Sequence, residues 1–435
     1  MKALLEIVAR HKAGAAVGVY SVCSAQPLVI EAALRFARRT GSVVLIEATS
    51  NQVNQDGGYT GMRPSEFARL VQGMASSVGL PAERLMLGGD HLGPNCWQHL
   101  DAEMAMLRAE RLIADYVAAG FRKIHLDCSM SCVGDPLPLS DATVAARAAR
   151  LCAVAEQTWR EVGGEAPVYV VGTEVPVPGG AHETLSQLTP TQPAAATATI
   201  DAHWQAFKAV ALESAWPRVI GLVVQPGVEF DHYQVIDFHL GRSGLLGAVI
   251  ETQAHMIYEA HSTDYQTPVN LRALVRAHFA ILKVGPALTF ALREALFALD
   301  QIERELLGPE RASRLRETLL AAMAADPVYW RKYYTTSGLQ LSLDCQYSLS
   351  DRIRYYWPQP TVVAALDRLL GNLAANPPPL TLLSQYLPLE YWAVREGRLN
   401  LNARDIAMHH VELVLHQYAR ACGARDEQGH DALAA

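Results

Sequence analysis

The strongest constraint in this chain is a rhythm: a short apolar run followed by a longer helical stretch, eight times over. Residues 17–23 read as a first strand with a helix at 27–39, and 43–46 as a second with a helix at 64–78. Strands at 85–87, 123–126 and 168–171 are followed by helices at 102–119, 141–162 and 194–214. The sixth run, 219–224, leads into a less regular connection through Gly247. The seventh, 256–259, precedes a helix at 271–278, and the eighth, 281–284, a helix at 288–306. Short apolar strands alternating with helices call for a parallel sheet, and eight such units match a closed barrel. A doubly wound open sheet is the competing arrangement, but no G-x-G-x-x-G follows the first strand. The expected class is therefore α/β, a (β/α)8 TIM barrel over residues 1–306 with a helical C-terminal appendage at 307–425.

The appendage begins where the rhythm stops. It carries a Tyr/Trp-rich stretch at 329–334, a second at 355–357, and a rigid break at Pro377-Pro378-Pro379. Residues 426–435 are expected to form a disordered tail. Half of the 435 residues are hydrophobic, ample for a large core. A net charge of −7 argues against nucleic acid or an anionic membrane as the main partner. Seven scattered cysteines without a C-x-x-C pair fit a reducing compartment. Residues 1–14 place Glu6, Arg10, His11 and Lys12 where a signal peptide would need its apolar core, and read as an amphipathic helix. No apolar run reaches the roughly 18 residues of a membrane span. A soluble, cytoplasmic protein is expected.

Barrel chemistry sits at the C-terminal ends of the strands, so the residues after each apolar run are the candidates. Gly88-Gly89-Asp90-His91 leaves the third strand with small neighbours that permit close approach of a ligand. The second strand ends in Glu47, Ser50 and Asn51, followed by the glycine-rich loop at 57–61. The fourth ends in Asp127 and Ser129, the fifth in Glu174, and the sixth in Gln225 and Glu229. The seventh ends in His261, Ser262 and Asp264, and the eighth carries Lys283. Each has a bland reading too: Glu47 with Lys283 as an ion pair, Asp127 as a helix cap. Jointly, His91, Glu174, Glu229 and His261 supply nitrogen and oxygen ligands suited to zinc, manganese, cobalt or nickel. Asp90 beside His91 is placed to move a proton. A cation there would polarise a carbonyl and stabilise an enediolate, which is the chemistry of aldol cleavage, aldol addition and sugar epimerisation.

The phrases LIEATSNQVNQDGGYTGM, GGDHLGPNCW, KIHLDCSMSCVGDP, GTEVPVPGG, VVQPGVEFDH, EAHSTDYQT, ILKVGPALTFALREALFAL and SLSDRIRYYWP closely resemble the Z-subunit family of tagatose-bisphosphate aldolase. The likeness runs through nearly the whole chain. Family members have been labelled tagatose-6-phosphate kinases, accessory subunits of a separate class II aldolase, and tagatose-6-phosphate or ketohexose 4-epimerases. No G-x-x-x-x-G-K-[ST] loop supports the kinase label, and no nucleotide cofactor is expected. The wider likeness, to zinc-dependent class II aldolases, implies that Asp90 handles protons, that His91 and His261 bind metal, and that Glu229 stands in for a third ligand. Glu174 and Asp264 join Asp90 as expected catalytic residues. Those aldolases' glycine-rich phosphate loop after strand seven is replaced here by Ser262-Thr263-Asp264-Tyr265.

Two functions follow as expectations. One is a metal-dependent C4 epimerase of tagatose and fructose or their 6-phosphates. Its substrate contacts would be Glu47, Ser50, Asn51, Asp127, Ser129, Gln225, Ser262 and Lys283, with Arg352 and Arg354 of the appendage holding a distal phosphate. The other is a non-catalytic subunit of a class II aldolase, docked through the aromatic stretches. A homo-oligomer is expected in either case.

Overall fold

The computed structural model describes residues 1–173 and 188–424; Glu174 and the tail expected at 426–435 lie outside the described residues. Eight strands, Val19–Val22, Val44–Thr49, Leu85–Leu92, Lys123–Leu126, Val168–Val171, Val219–Val223, Ile257–Ala260 and Phe279–Val284, close into a barrel in sequential order. Every neighbouring pair is parallel, and Val19–Ile281 pairing shuts the ring. Because side chains alternate along a strand, each strand sends one set into the lumen and the other against the helices. Ile124, Leu126 and Tyr169 pack outward in the large core, whereas Leu45, Met86, Val168, Ile220, Ile257 and Ile281 form a separate apolar floor inside the barrel.

That floor is closed from below by the N-terminal helix Lys2–Lys12, whose Leu4 and Val8 join it. The amphipathic start of the chain is therefore a plug. Helices Pro27–Thr40, Pro64–Ser77, Pro268–Arg276 and Pro286–Leu307 each begin on proline, whose fixed φ suits the first turn and whose missing N–H costs nothing there. A helix, Leu240–Glu251, also fills the connection that the sequence leaves irregular. The third strand differs most from expectation. It does not stop at the glycines but runs through Gly88, Gly89, Asp90 and His91 to Leu92. Glycine at position 88 is required by crowding, since a Cβ there would lie 2.7 Å from the Glu47 carboxylate.

Beyond Leu307 the chain is helical: Leu315–Ala325, Gly338–Tyr347, Pro360–Ala375, Leu380–Tyr386, Pro388–Arg395 and Ala403–Ala421. These helices share one hydrophobic core with the barrel's outer surface. The last packs on Pro27–Thr40 through the ion pairs Arg35–Asp405 and Arg39–Glu412, and its Tyr418 hydroxyl donates to the Thr263 carbonyl at 2.8 Å. Asp351 is buried against the helix behind strand eight, accepting from Arg293 Nε at 3.0 Å and the Thr289 hydroxyl at 2.6 Å. Several of the aromatics expected to face a partner point inward. Tyr334, Tyr356 and Trp357 are buried, and Tyr329 stacks on Tyr355 with ring centres 4.8 Å apart. Among the described residues no helix is long and apolar enough to cross a membrane.

The plug is open to a direct test. Leu4 is fully buried, so Leu4→Ala leaves a cavity under the floor and is expected to cost ~2–5 kcal/mol. Chemical denaturation of the purified variant measures this, and a cost within error of zero would show the helix to be dispensable.

Candidate metal centre at the barrel mouth

Above the apolar floor the lumen turns ionic. Lys123 Nζ lies 2.7 Å from Glu47 Oε1 and 2.5 Å from Glu259 Oε2. Lys283 Nζ contacts Glu47, Asp90 Oδ1 at 3.0 Å and Glu259 Oε1 at 3.6 Å. All five side chains are buried. Burial lowers Lys283 to about 8, which leaves it an ammonium at neutral pH.

Three imidazoles stand above this layer, each beside a carboxylate. His91 Nδ1 is 2.7 Å from Asp127 Oδ2, His125 Nδ1 is 2.9 Å from Asp90 Oδ1, and His261 Nε2 is 3.0 Å from Glu259 Oε1. The rings close on one another, His91 with His261 at 4.8 Å between centres and His125 with His261 at 5.2 Å. With one ring N–H of each given to a carboxylate, the other nitrogen keeps its lone pair. That is how metal-ligating histidines are oriented.

Adjacent residues of a regular strand point to opposite faces, yet Asp90 and His91 both reach this cluster. The reason is a local break: His91 has φ +48° and the pairing of strands three and four shifts register between Gly89 and Leu92. Such bulges re-aim side chains beside active sites. Ser262, next to His261, is likewise left-handed at φ +53°.

The donor set fits a divalent cation. Ligand atoms of Asp90, His125, Glu259 and His261 all lie within 4.8 Å of one another. Among the described residues His125 Nε2 is buried without a hydrogen-bond partner, which leaves a desolvated ring nitrogen for a ligand to meet. The charge also asks for a cation. Among the described residues, and with the imidazoles neutral, the carboxylates of Glu47, Asp90, Asp127 and Glu259 outnumber the ammoniums of Lys123 and Lys283 by the charge of one such ion. Burial opposes charge on His91, but Asp90 and Asp127 outweigh it and raise its pKa above the ordinary value. Burial lowers that of His261, keeping it neutral and ligand-ready.

The expected site residues divide into three groups. Asp90, His91, His261, Glu47, Asp127 and Lys283 converge here. Ser50 and Ser129 support them, donating to the His91 carbonyl at 2.8 Å and to Asp127 Oδ1 at 2.7 Å. Glu229 stands apart from the cluster, although the sequence suggests it as a ligand. Its carboxylate accepts from the Phe230 N–H at 3.0 Å and interacts with Ser262, because a short hairpin, Glu229–Phe230 with Val235–Ile236, turns it that way. Asp264 is spent at the start of helix Pro286–Leu307, accepting from Gly285 N at 3.0 Å and Ala287 N at 2.9 Å. Gln225 folds onto its own turn, accepting from Gly227 N and Val228 N, and Asn51 is exposed. Arg354 donates to the carbonyls of Ser350 and Asp351 and to the Tyr355 hydroxyl, and Arg352 stacks on Tyr333 and donates to the Tyr329 carbonyl.

Lys123, His125 and Glu259 escape a reading confined to strand ends, since they lie inside strands. The signal is present: Lys123-Ile124-His125-Leu126-Asp127 alternates polar and apolar with period two, as does Tyr258-Glu259-Ala260-His261. In a barrel such alternation aims the polar set into the lumen.

Fold and site together define a (β/α)8 barrel protein with a candidate cation centre at the C-terminal ends of its strands. Residues 4–423 match the family described as D-tagatose-1,6-bisphosphate aldolase subunit GatZ/KbaZ-like, and the chain belongs to that family. A crystal structure of a probable tagatose 6 phosphate kinase from Sinorhizobium meliloti 1021 is 49% identical, with a TM-score of 0.85 over 93% of this chain and 100% of that one. Weaker matches include the YdjI aldolase from Escherichia coli K12, at 10% identity and TM-score 0.41 over 84% of this chain and 94% of that one. Another is the fructose-bisphosphate aldolase from Campylobacter jejuni, at 13% and 0.42 over 85% and 92%.

Glu229 yields a pH test. Burial raises it from 4.5 to about 7, and the charges of Asp264 and Asp231 add to the rise. A carboxyl whose folded pKa lies above its unfolded one favours folding fully below pH 4.5 and loses that contribution as pH climbs through about 7. Glu229→Gln removes the titration, so it should match the wild type near pH 4 and exceed it above pH 7 by up to about 3 kcal/mol. Urea denaturation across that range decides it; a difference independent of pH would show that Glu229 is charged in the fold.

Proposed function

We propose that this protein is a divalent-metal-dependent C4 epimerase of a ketohexose or its 6-phosphate, working by retro-aldol cleavage and re-addition. The observation that carries the reading is the carboxylate-oriented histidine cluster, in which His125 Nε2 has no partner among the described residues. A purely supporting subunit has no need of such a costly buried arrangement.

Asp90, His125, Glu259 and His261 would hold the cation, with His91 against them. When bound it supplies Lewis acidity that draws electron density from the substrate's C2 carbonyl. Asp90 Oδ1 is engaged by Lys283 and His125, and Oδ2, whose neighbours Cys23 Sγ and His91 Nε2 stand 3.8 Å away, would take the proton of the C4 hydroxyl. As that O–H bond breaks, C4=O forms and the C3–C4 bond pair passes into an enediolate. Re-addition to the opposite face of the turned aldehyde returns the proton and inverts C4, with no redox change. Burial would raise Asp90, but His91 beside it and the hydrogen bond from His125 outweigh that and hold it well below the usual carboxylate range, so it starts ionised.

A C1 phosphate finds its usual barrel anchor taken. Barrel enzymes seat phosphate at a helix start after strands seven and eight, and here the Asp264 carboxylate accepts those N–H groups. That favours a free ketohexose or a 6-phosphate over a 1,6-bisphosphate. At the distal end, Arg354 lies over the Tyr355 ring at 4.6 Å, beside Tyr59 of the strand-two loop, and would meet a C6 phosphate. The family description as an aldolase subunit supports a second reading, a supporting role for a separate aldolase.

Purified protein incubated with tagatose 6-phosphate, fructose 6-phosphate and the free sugars, followed by NMR, separates the two. Metal-dependent interconversion is expected, lost on chelation and in His125→Ala, and reduced ~10²–10⁴-fold in kcat by Asp90→Asn. No turnover alone, but faster bisphosphate cleavage by an added class II aldolase, would establish the supporting role instead.

A further inference from the structure

Two groups of ligand-capable side chains meet at Asp90. One is the histidine cluster. The other is Cys23, Glu47 and Asp90, whose ligand atoms also lie within 4.8 Å of one another. Cys23 Sγ stands 3.8 Å from Glu47 Oε2 and 3.8 Å from Asp90 Oδ2. Neighbouring cation sites that share a carboxylate are the layout of two-metal centres. Here, however, a cation is already present in the second site. Lys283 enters from strand eight opposite Ser21, two residues above Ile281 of the apolar floor. Its ammonium contacts Glu47, and lies 3.0 Å from Asp90 Oδ1 and 3.6 Å from Glu259 Oε1. The side chain is 5% exposed, so the charge is buried and its position is set by strand geometry rather than by solvent.

We propose that the Lys283 ammonium takes the place of a second metal ion, so that a centre with carboxylate geometry for two cations holds one. This rests on the metal-centre reading above. A lysine is a compact point charge carrying three N–H donors and no vacant coordination position. It therefore neutralises Glu47 and Asp90 and orients both, yet offers no second Lewis acid that could bind a substrate oxygen competitively. Removing the ammonium leaves Glu47, Asp90 and Cys23 as an open oxygen and sulfur site that a borderline-soft divalent ion fits.

The test uses full-length protein stripped with chelator, reloaded with Co²⁺, desalted and analysed for metal. The wild type should retain one ion per chain, and Lys283→Ala and Lys283→Gln two. Both variants should gain a thiolate-to-cobalt charge-transfer band absent from the wild type and lost when Cys23→Ser is added. Their thermal midpoints should climb with added Co²⁺ after that of the wild type has levelled off, because a second binding event stabilises the fold by mass action. One ion per chain in the folded variants, or two in the wild type, overturns the proposal. Variants that fold neither with nor without Co²⁺ overturn it as well, since an ion is what should replace the ammonium. A wild type that retains none overturns the metal-centre reading itself, a result read from the first arm alone.

Discussion

The arrangement depends on charges that cannot be buried singly. Glu47, Lys123, Glu259 and Lys283 project into the lumen from strands two, four, seven and eight, and each meets an opposite charge there. An isolated ion in that position would cost far more than a domain's stability, whereas a mutually paired set is tolerated. The lattice therefore acts across the barrel. It ties four strands at one height and fixes the carboxylates that orient His125 and His261 above it.

Below the lattice the barrel is sealed, and above it the site is framed by segments distant in sequence. The N-terminal helix closes the apolar floor through Leu4 and Val8. The appendage is anchored to the rim: His232 Nδ1 meets the Ser350 hydroxyl at 3.0 Å, and the Tyr265 hydroxyl donates to the Leu349 carbonyl at 2.6 Å. Tyr59 of the glycine-rich loop packs on Tyr355 with centres 4.6 Å apart. These contacts account for the inward-facing aromatics of the extension.

The family likeness and the site bear on different questions. The likeness covers the chain from residue 4 to 423 and names an aldolase subunit. The site geometry speaks to chemistry, through ring nitrogens oriented by carboxylates and an Asp90 carboxylate set among them. A helix start capped by Asp264 then narrows the substrates that chemistry would suit.

Much of the fold was legible from periodicity alone. All eight strands and the helices behind them, except Leu240–Glu251 after the sixth, follow from local apolar patterning, because a strand buried on one side against helices must be apolar on that side wherever it sits. Asp90, His91 and His261 were legible for a similar reason, since parallel barrels expose chemistry at strand ends. Three things were decided by tertiary structure. Strand three continues through its glycines, paired with strand two as far as Asp90, and Gly88 leaves the Glu47 carboxylate the space a Cβ would fill. Glu229 stays outside the group of clustered ligand atoms, its carboxylate meeting the Phe230 N–H and Ser262 from a hairpin that only the folded chain forms. Lys123, His125 and Glu259 enter the site because closing the barrel brings strands four and seven face to face across the lumen, a proximity between residues more than a hundred positions apart that no local pattern encodes.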